Sequence, residues 1–333
     1  MAAQTVPTAI RIDGRFARVG ALCILPCQME MHMRGLQRFL LVLVGLFAGV
    51  TATAAAQVPD SHTANPLAFF WGQSLQNIEA YAKPGALIVA GNCNRYDPQI
   101  ASARAAGAEV LAYLNPIEVY DRIPCKLNEG FYNGGRDRVP LWPFPSPGQR
   151  INWPKTHMAD MRAGSDWSNS IVAYVENLMR EGKVDGVFLD NIGARLWSKL
   201  ADWHSWSKAE QDAWTEGNVD LVRRIDAARR QINPKFIVVT NNVWDRGDAA
   251  GFLGEQYVDG IVLERSALND WHTRYAGRPF SNLGHRRVLV VSRSESDVAQ
   301  WARVPGVTHV SFQPNYGSTA QPLLPFRALN DRR

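Results

Sequence analysis

From Pro66 onward the chain alternates short apolar runs with amphipathic stretches. The runs are Leu67–Trp71, Ala86–Ala90, Glu109–Leu114, Gly186–Asp190, Phe236–Thr240, Gly260–Glu264, Arg287–Ser292 and Thr308–Phe312. Each is rich in Val, Leu, Ile or Phe with little polar alternation, the pattern of a strand covered on both faces. Between them, helical spacing is found over Pro98–Ala106, Asn169–Glu181, Ser207–Gln231, Ala249–Tyr257 and Glu295–Ala302. Cap residues mark some of the starts: Asp97 before Pro98, and Ser207 with Glu210 three residues on. Eight strands alternating with helices predict an α/β (β/α)8 barrel in a single domain over 66–320, followed by a short tail, 321–333. A doubly wound sheet would ordinarily carry a glycine-rich phosphate fingerprint, and the chain has none.

Two stretches interrupt this rhythm. The segment Asn115–Trp153 is long and rich in Pro, Gly and aromatics, and Ile192–Ser207 carries Trp197, Trp203 and Trp206. Loops of such length in a compact domain are usually functional, and both are expected to wall a cleft.

Within the pattern one phrase occurs twice. Val184-Asp-Gly-Val-Phe-Leu-Asp-Asn191 is matched 74 residues later by Val258-Asp-Gly-Ile-Val-Leu-Glu-Arg265. The match sets Asp190 opposite Glu264, each at the C-terminal end of a strand, where an α/β barrel presents its chemistry. Two carboxyl groups over one mouth suit glycosidic bond cleavage, in which one protonates the leaving oxygen and the other attacks C1 or activates water. Asp185 and Asp259 fall at the other end of the same strands and read as turn and cap residues.

Other polar and aromatic residues share the predicted rim. They are Trp71 and Gln73, Asn92, Tyr113 and Asn115, Asn191, Asn241 and Asn242, and Gln313. Together they describe a cup suited to hydroxyl-rich, flat-faced sugar rings. The competing chemistries lack their signatures. The histidines show no HxH or HExxH spacing for zinc, and no GxSxG elbow is present, so neither metal nor cofactor is expected.

The N-terminal part changes the picture of location and charge. Arg34 and Arg38, the apolar Phe39–Val50 and the small residues Thr51–Ala56 make a secretory signal, with cleavage near Ala56 and a true start near Met33. This predicts a leader over 1–56, a secreted or periplasmic mature protein, and no stable membrane span after cleavage. The first 56 residues hold five Arg against two acids, which is +3 of the formal net charge of +5. The remainder is near neutral and has no basic run, so nucleic acid is not an expected partner. Of the four cysteines, Cys93 and Cys125 follow predicted strands on one rim, and export would let them form a disulfide.

Four segments resemble a known family. His157-Met-Ala-Asp-Met-Arg162, the strand Val184–Asn191, Thr240-Asn-Asn242 and Val262-Leu-Glu264 are similar to segments of the endo-α-1,4-polygalactosaminidase family and related barrel glycosidases. The resemblance spans roughly 71–312. It implies that Asp190 and Glu264 are the catalytic pair and that Asp160 lies in or near the site. By similarity to the α-galactosidase arrangement it implies Asp190 as nucleophile and Glu264 as acid/base. Arg265-Ser266 stands where the family commonly has Gln-Cys, a departure that bears on the sugar. The expectation is a glycoside hydrolase acting on a polysaccharide, possibly α-linked and amino-sugar-containing. The alternatives are a non-catalytic carbohydrate-binding barrel and a structural component of a polysaccharide export system.

Overall fold

A computed structural model of the chain describes residues 64–70, 74–120, 140–144, 156–196, 203–241, 244, 253–266, 287–292 and 294–312. All of them lie in the second of two compact units, Pro59–Arg333. The predicted leader and signal, the tail, and Trp71, Gln73, Cys125, Trp197, Asn242 and Gln313 lie outside the described residues.

All eight predicted strands are present. They are β1 (Asn65–Phe70), β2 (Leu87–Gly91), β3 (Glu109–Leu114), β6 (Gly186–Leu189), β7 (Ile237–Thr240), β8 (Gly260–Ser266), β9 (Arg287–Ser292) and β10 (His309–Phe312). Every pairing among them is parallel, and the order β1-β10-β9-β8-β7-β6-β3-β2 returns to its start, so the sheet closes into a barrel. Four α-helices accompany the strands among the described residues: α1 (Pro98–Ala105), α2 (Asp166–Glu181), α3 (Lys208–Ile232) and α4 (Glu295–Trp301). Asp97 caps α1, and Ser207 with Glu210 forms a full capping box on α3, as the sequence predicted. Helix α2 begins three residues before its predicted start because Ser165 supplies its cap, accepting from the Ser168 N–H.

The predicted insertion after β3 contains an element that periodicity did not show. Glu118–Tyr120 (β4) pairs antiparallel with Thr156–Met158 (β5), just beyond the insertion's end. The other side of this ribbon is extended by Trp142 N–H to Met158 O, at 2.9 Å, and by Asp160 N–H to Pro140 O, at 2.8 Å. Trp142 and Phe144 from the insertion stack with Trp203, Trp206 and, on α3, Trp214, with neighbouring centroids 5.3–5.9 Å apart. All seven tryptophans among the described residues are buried. Trp203 and Trp206 are therefore part of the hydrophobic core and do not offer exposed faces to a ligand.

At the N-terminal end of the barrel the repeated Val-Asp-Gly turn acts as a clasp, and its two copies are built alike. Asp185 accepts the Val110 N–H at 2.9 Å and a two-pronged contact from Arg104 on α1. Asp259 accepts the Val238 N–H at 2.8 Å and pairs with Arg229 on α3. A Cβ on the glycine that follows would lie 2.3 Å from Ile237 O in the first copy and 2.6 Å from Arg287 O in the second, so no larger residue fits. Strand is thus tied to strand and helix at a fixed register, which sets the height at which each strand ends.

Candidate active site

The register delivers the site. Leu114 pairs with Leu189 and Leu189 with Thr240, so Asn115, Asp190 and Asn241 leave three neighbouring strands at the same level. Two residues below Asp190, Phe188 fills the barrel between Phe69, at 5.8 Å, and Tyr113, at 5.9 Å. A β-bulge falls at Glu264/Ser266, where Glu264 pairs with Val291 and Ser266 with Ser292. Bulges of this kind re-aim side chains beside active sites.

Asp190 and Glu264 are brought together. The Asn241 Nδ2 donates to Asp190 Oδ1 and also to Glu264 Oε1, the latter at 3.2 Å. Its Oδ1 accepts the Asn191 backbone N–H at 2.6 Å. Because a backbone N–H can only donate, that bond fixes the orientation of the amide and leaves Nδ2 to face the two carboxyl groups. Asn191 itself takes a left-handed conformation, φ 62°, which Asn tolerates better than most residues and which turns its N–H toward β7. On the other side the Tyr113 hydroxyl donates to Asp190 Oδ2 at 2.6 Å.

The surroundings of Asp190 are acidic or neutral. Burial, then the charge of Glu264, pushes its carboxyl well above the usual carboxylate range, and Glu118 adds to the effect. The Tyr113 hydroxyl and the Asn191 N–H pull in the opposite direction. Among the described residues no cation pairs with Asp190. Two acids this close lose their protons in steps that belong to the pair, so one proton is retained where isolated carboxyls would both be ionised.

Glu118 was not anticipated. It is fully buried on β4 and accepts the Asn115 Nδ2 at 2.8 Å. Its one sequence signal is an acid set in Pro116-Ile-Glu-Val119, apolar on both sides, just past a strand end.

The remaining rim candidates separate into groups. Tyr113, Asn191 and Asn241 contact Asp190 or hold the group that does, and Asn115 is tied to Glu118. Asn92 is buried with its amide turned to helix α2, where Nδ2 donates to the Tyr174 hydroxyl while Oδ1 accepts from Arg95. Asp160 is buried in the turn after β5, accepting from the backbone and side chain of Arg162. The hydrogen bonds of both run to these neighbours and not to the carboxyl pair. Cys93 is in a disulfide, and Cys125, its predicted partner, lies outside the described residues. Among the described residues no cluster of His, Cys, Asp and Glu could hold a metal ion, and no helix is long and apolar enough to cross a membrane.

The class of fold is thus a closed (β/α)8 barrel with a carboxyl pair at the C-terminal mouth. No family model and no curated protein matches the chain. Among solved structures it is similar to the glycoside hydrolase domain of PelA from Pseudomonas aeruginosa, at 14% identity and TM-score 0.51, covering 75% of this chain and 94% of that one. It is also similar to Ega3 of Aspergillus fumigatus in complex with galactosamine, at 12% identity and TM-score 0.47, covering 76% and 91%. At these identities the likeness is one of fold.

Proposed function

We propose that the protein is a retaining glycoside hydrolase acting on a polysaccharide. The observation that carries this reading is one amide donor, Asn241 Nδ2, shared by Asp190 and Glu264. Oxygens that share a donor are at most about 6 Å apart, the length of two hydrogen bonds. That fits the ~5–5.5 Å of retaining pairs better than the ~6.5–9.5 Å that inverting pairs need for a water. The glycoside hydrolase domain with which the chain shares its fold supports the same class.

In this mechanism Asp190 is the nucleophile and Glu264 the acid/base. A bond forms from an Asp190 oxygen to C1 as the C1–O bond to the leaving group breaks, and the Glu264 proton goes to the leaving oxygen. Water then attacks C1, its proton returns to Glu264, and Asp190 is released as a carboxylate. One proton shared by the pair supplies both starting forms.

The test is a screen of polysaccharides and aryl glycosides with the wild type, Asp190→Asn and Glu264→Gln. Retention of configuration in the first-formed product, with loss of turnover in both variants, is expected. Inverted product would overturn the retaining mechanism. Sugar binding unchanged in both variants, with no turnover by the wild type, would make the protein a binding barrel.

A further inference from the structure

We propose that Tyr113 is a positioning residue: its hydroxyl, braced by ring packing on Phe188, holds Asp190 as the attacking carboxylate of the pair. The inference rests on the hydrolase reading above and assigns Tyr113 to Asp190 instead of to the sugar.

Three observations support it. Tyr113 pairs in register with Phe188 on the neighbouring strand, and their rings lie 5.9 Å apart, so the phenol stands directly below the level at which Asp190 leaves β6. Its hydroxyl is 2.6 Å from Asp190 Oδ2, a short contact of the kind made to an ionised acceptor. Finally, the opposite oxygen, Oδ1, is held by Asn241, whose orientation is fixed independently by the Asn191 N–H. Asp190 is therefore gripped at both oxygens by neutral donors.

The electrostatic setting shows why such a grip matters. Glu264 faces Asp190 from β8 and Glu118 acts on it from β4, both acidic, while Tyr113 on β3 and Asn241 after β7 are neutral. Donation from Tyr113 opposes the burial and the Glu264 charge that raise Asp190, and so favours the ionised form that a nucleophile needs. When Asp190 becomes an ester its charge disappears and the Tyr113 bond weakens. Tyr113 thus acts through Asp190 and adds nothing to ground-state sugar affinity.

The experiment compares the full-length wild type with Tyr113→Phe, which keeps the ring and removes the hydroxyl. Isotope-labelled aspartate carboxyl resonances are titrated, with the Asp190 signal identified by its loss in Asp190→Asn. The Asp190 midpoint is expected to rise by about one pH unit, the effect of losing one hydrogen bond to a charged group. Fluorotyrosine at position 113, a stronger donor, is expected to lower it. On an aryl glycoside turned over by the wild type, Tyr113→Phe should lower kcat and move its acid limb upward with KM little changed. An unmoved midpoint overturns the proposal even if the enzyme is a hydrolase, and so does a variant that raises KM and spares kcat. Failure of the hydrolase reading itself is seen separately, as the absence of turnover of any glycoside by the wild type, while the Asp190 midpoint can still be measured.

Discussion

Strands β6 and β8 each carry one carboxylate at either end, and the two ends treat them in opposite ways. At the N-terminal end Asp185 and Asp259 each meet an arginine and a backbone N–H. At the C-terminal end Asp190 meets a phenol, an amide and a second acid. The lower pair is satisfied and holds elements together. The upper pair shares a donor, and Asp190 is raised by burial and by the charge of Glu264, an arrangement that costs stability. A single repeated phrase thus writes a clasp at one end and a coupled carboxyl pair at the other, and the difference lies in which neighbours the barrel supplies at each level.

The largest effect that tests this contrast comes from removing one charge from each end. Asp190→Asn should lower turnover by roughly 10³-fold or more while the protein stays folded. Asp185→Asn should leave kcat near normal and cost about 1–3 kcal/mol, because Arg104 and the Val110 N–H lose a charged acceptor. Activity assays beside denaturant melts read both. If Asp185→Asn abolished turnover without loss of stability, the division between the two ends would be wrong.

Much of this was legible in the sequence, for physical reasons. Strands buried on both faces must be continuous apolar runs, so all eight were visible, and with them the strand-end positions of Asp190 and Glu264. The β4–β5 ribbon was not, because three-residue strands pairing from Glu118 with Met158 have no periodicity to detect. Side-chain direction was likewise hidden. Asn92 and Tyr113 both belong to the rim by sequence, yet one amide turns outward to Tyr174 while the other residue's hydroxyl meets Asp190. Such choices depend on which neighbour is within reach, and that neighbour is distant in the chain.

A second prediction concerns a titrating group at the N-terminal end. His309 is buried there between Thr308 and the Gly85 carbonyl, and burial, aided by the Arg287 charge, pushes it down to about 4 from an ordinary 6.5. The unfolded chain binds a proton as pH falls below about 6.5, while the folded chain does not until about 4. Stability should therefore fall across that window, by on the order of 3 kcal/mol, and then level off. Melts of wild type and His309→Gln over this pH range check it, since the variant should lack this component.

The clasp glycines come next. Gly186→Ala should destabilise by about 1–3 kcal/mol, since its Cβ would press on the Ile237 carbonyl that receives no room from the register. The same change at Gly260 meets Arg287 in the same way. Chemical denaturation measures both, and equal tolerance of alanine and glycine at both positions would mean that the clasp does not set the register.

The smallest effect sharpens the comparison most, because it carries the opposite sign. At Asp190 burial and Glu264 raise the carboxyl above its unfolded value of 3.8, so the folded protein holds a proton that the unfolded chain has released. Stability is then lost as pH rises from 3.8 through the folded-state value, and the full penalty is present above it. Asp190→Asn, which cannot ionise, should escape that penalty and gain stability near neutral pH, a gain that vanishes as pH falls below the unfolded value. Asp185→Asn should instead lose stability at neutral pH, because Arg104 and the Val110 N–H lose their charged acceptor. Melting curves at neutral pH should place the two variants on opposite sides of the wild type if the two ends differ as described. A loss of stability in Asp190→Asn at neutral pH would show instead that the upper carboxylate, like the lower, is held for structure.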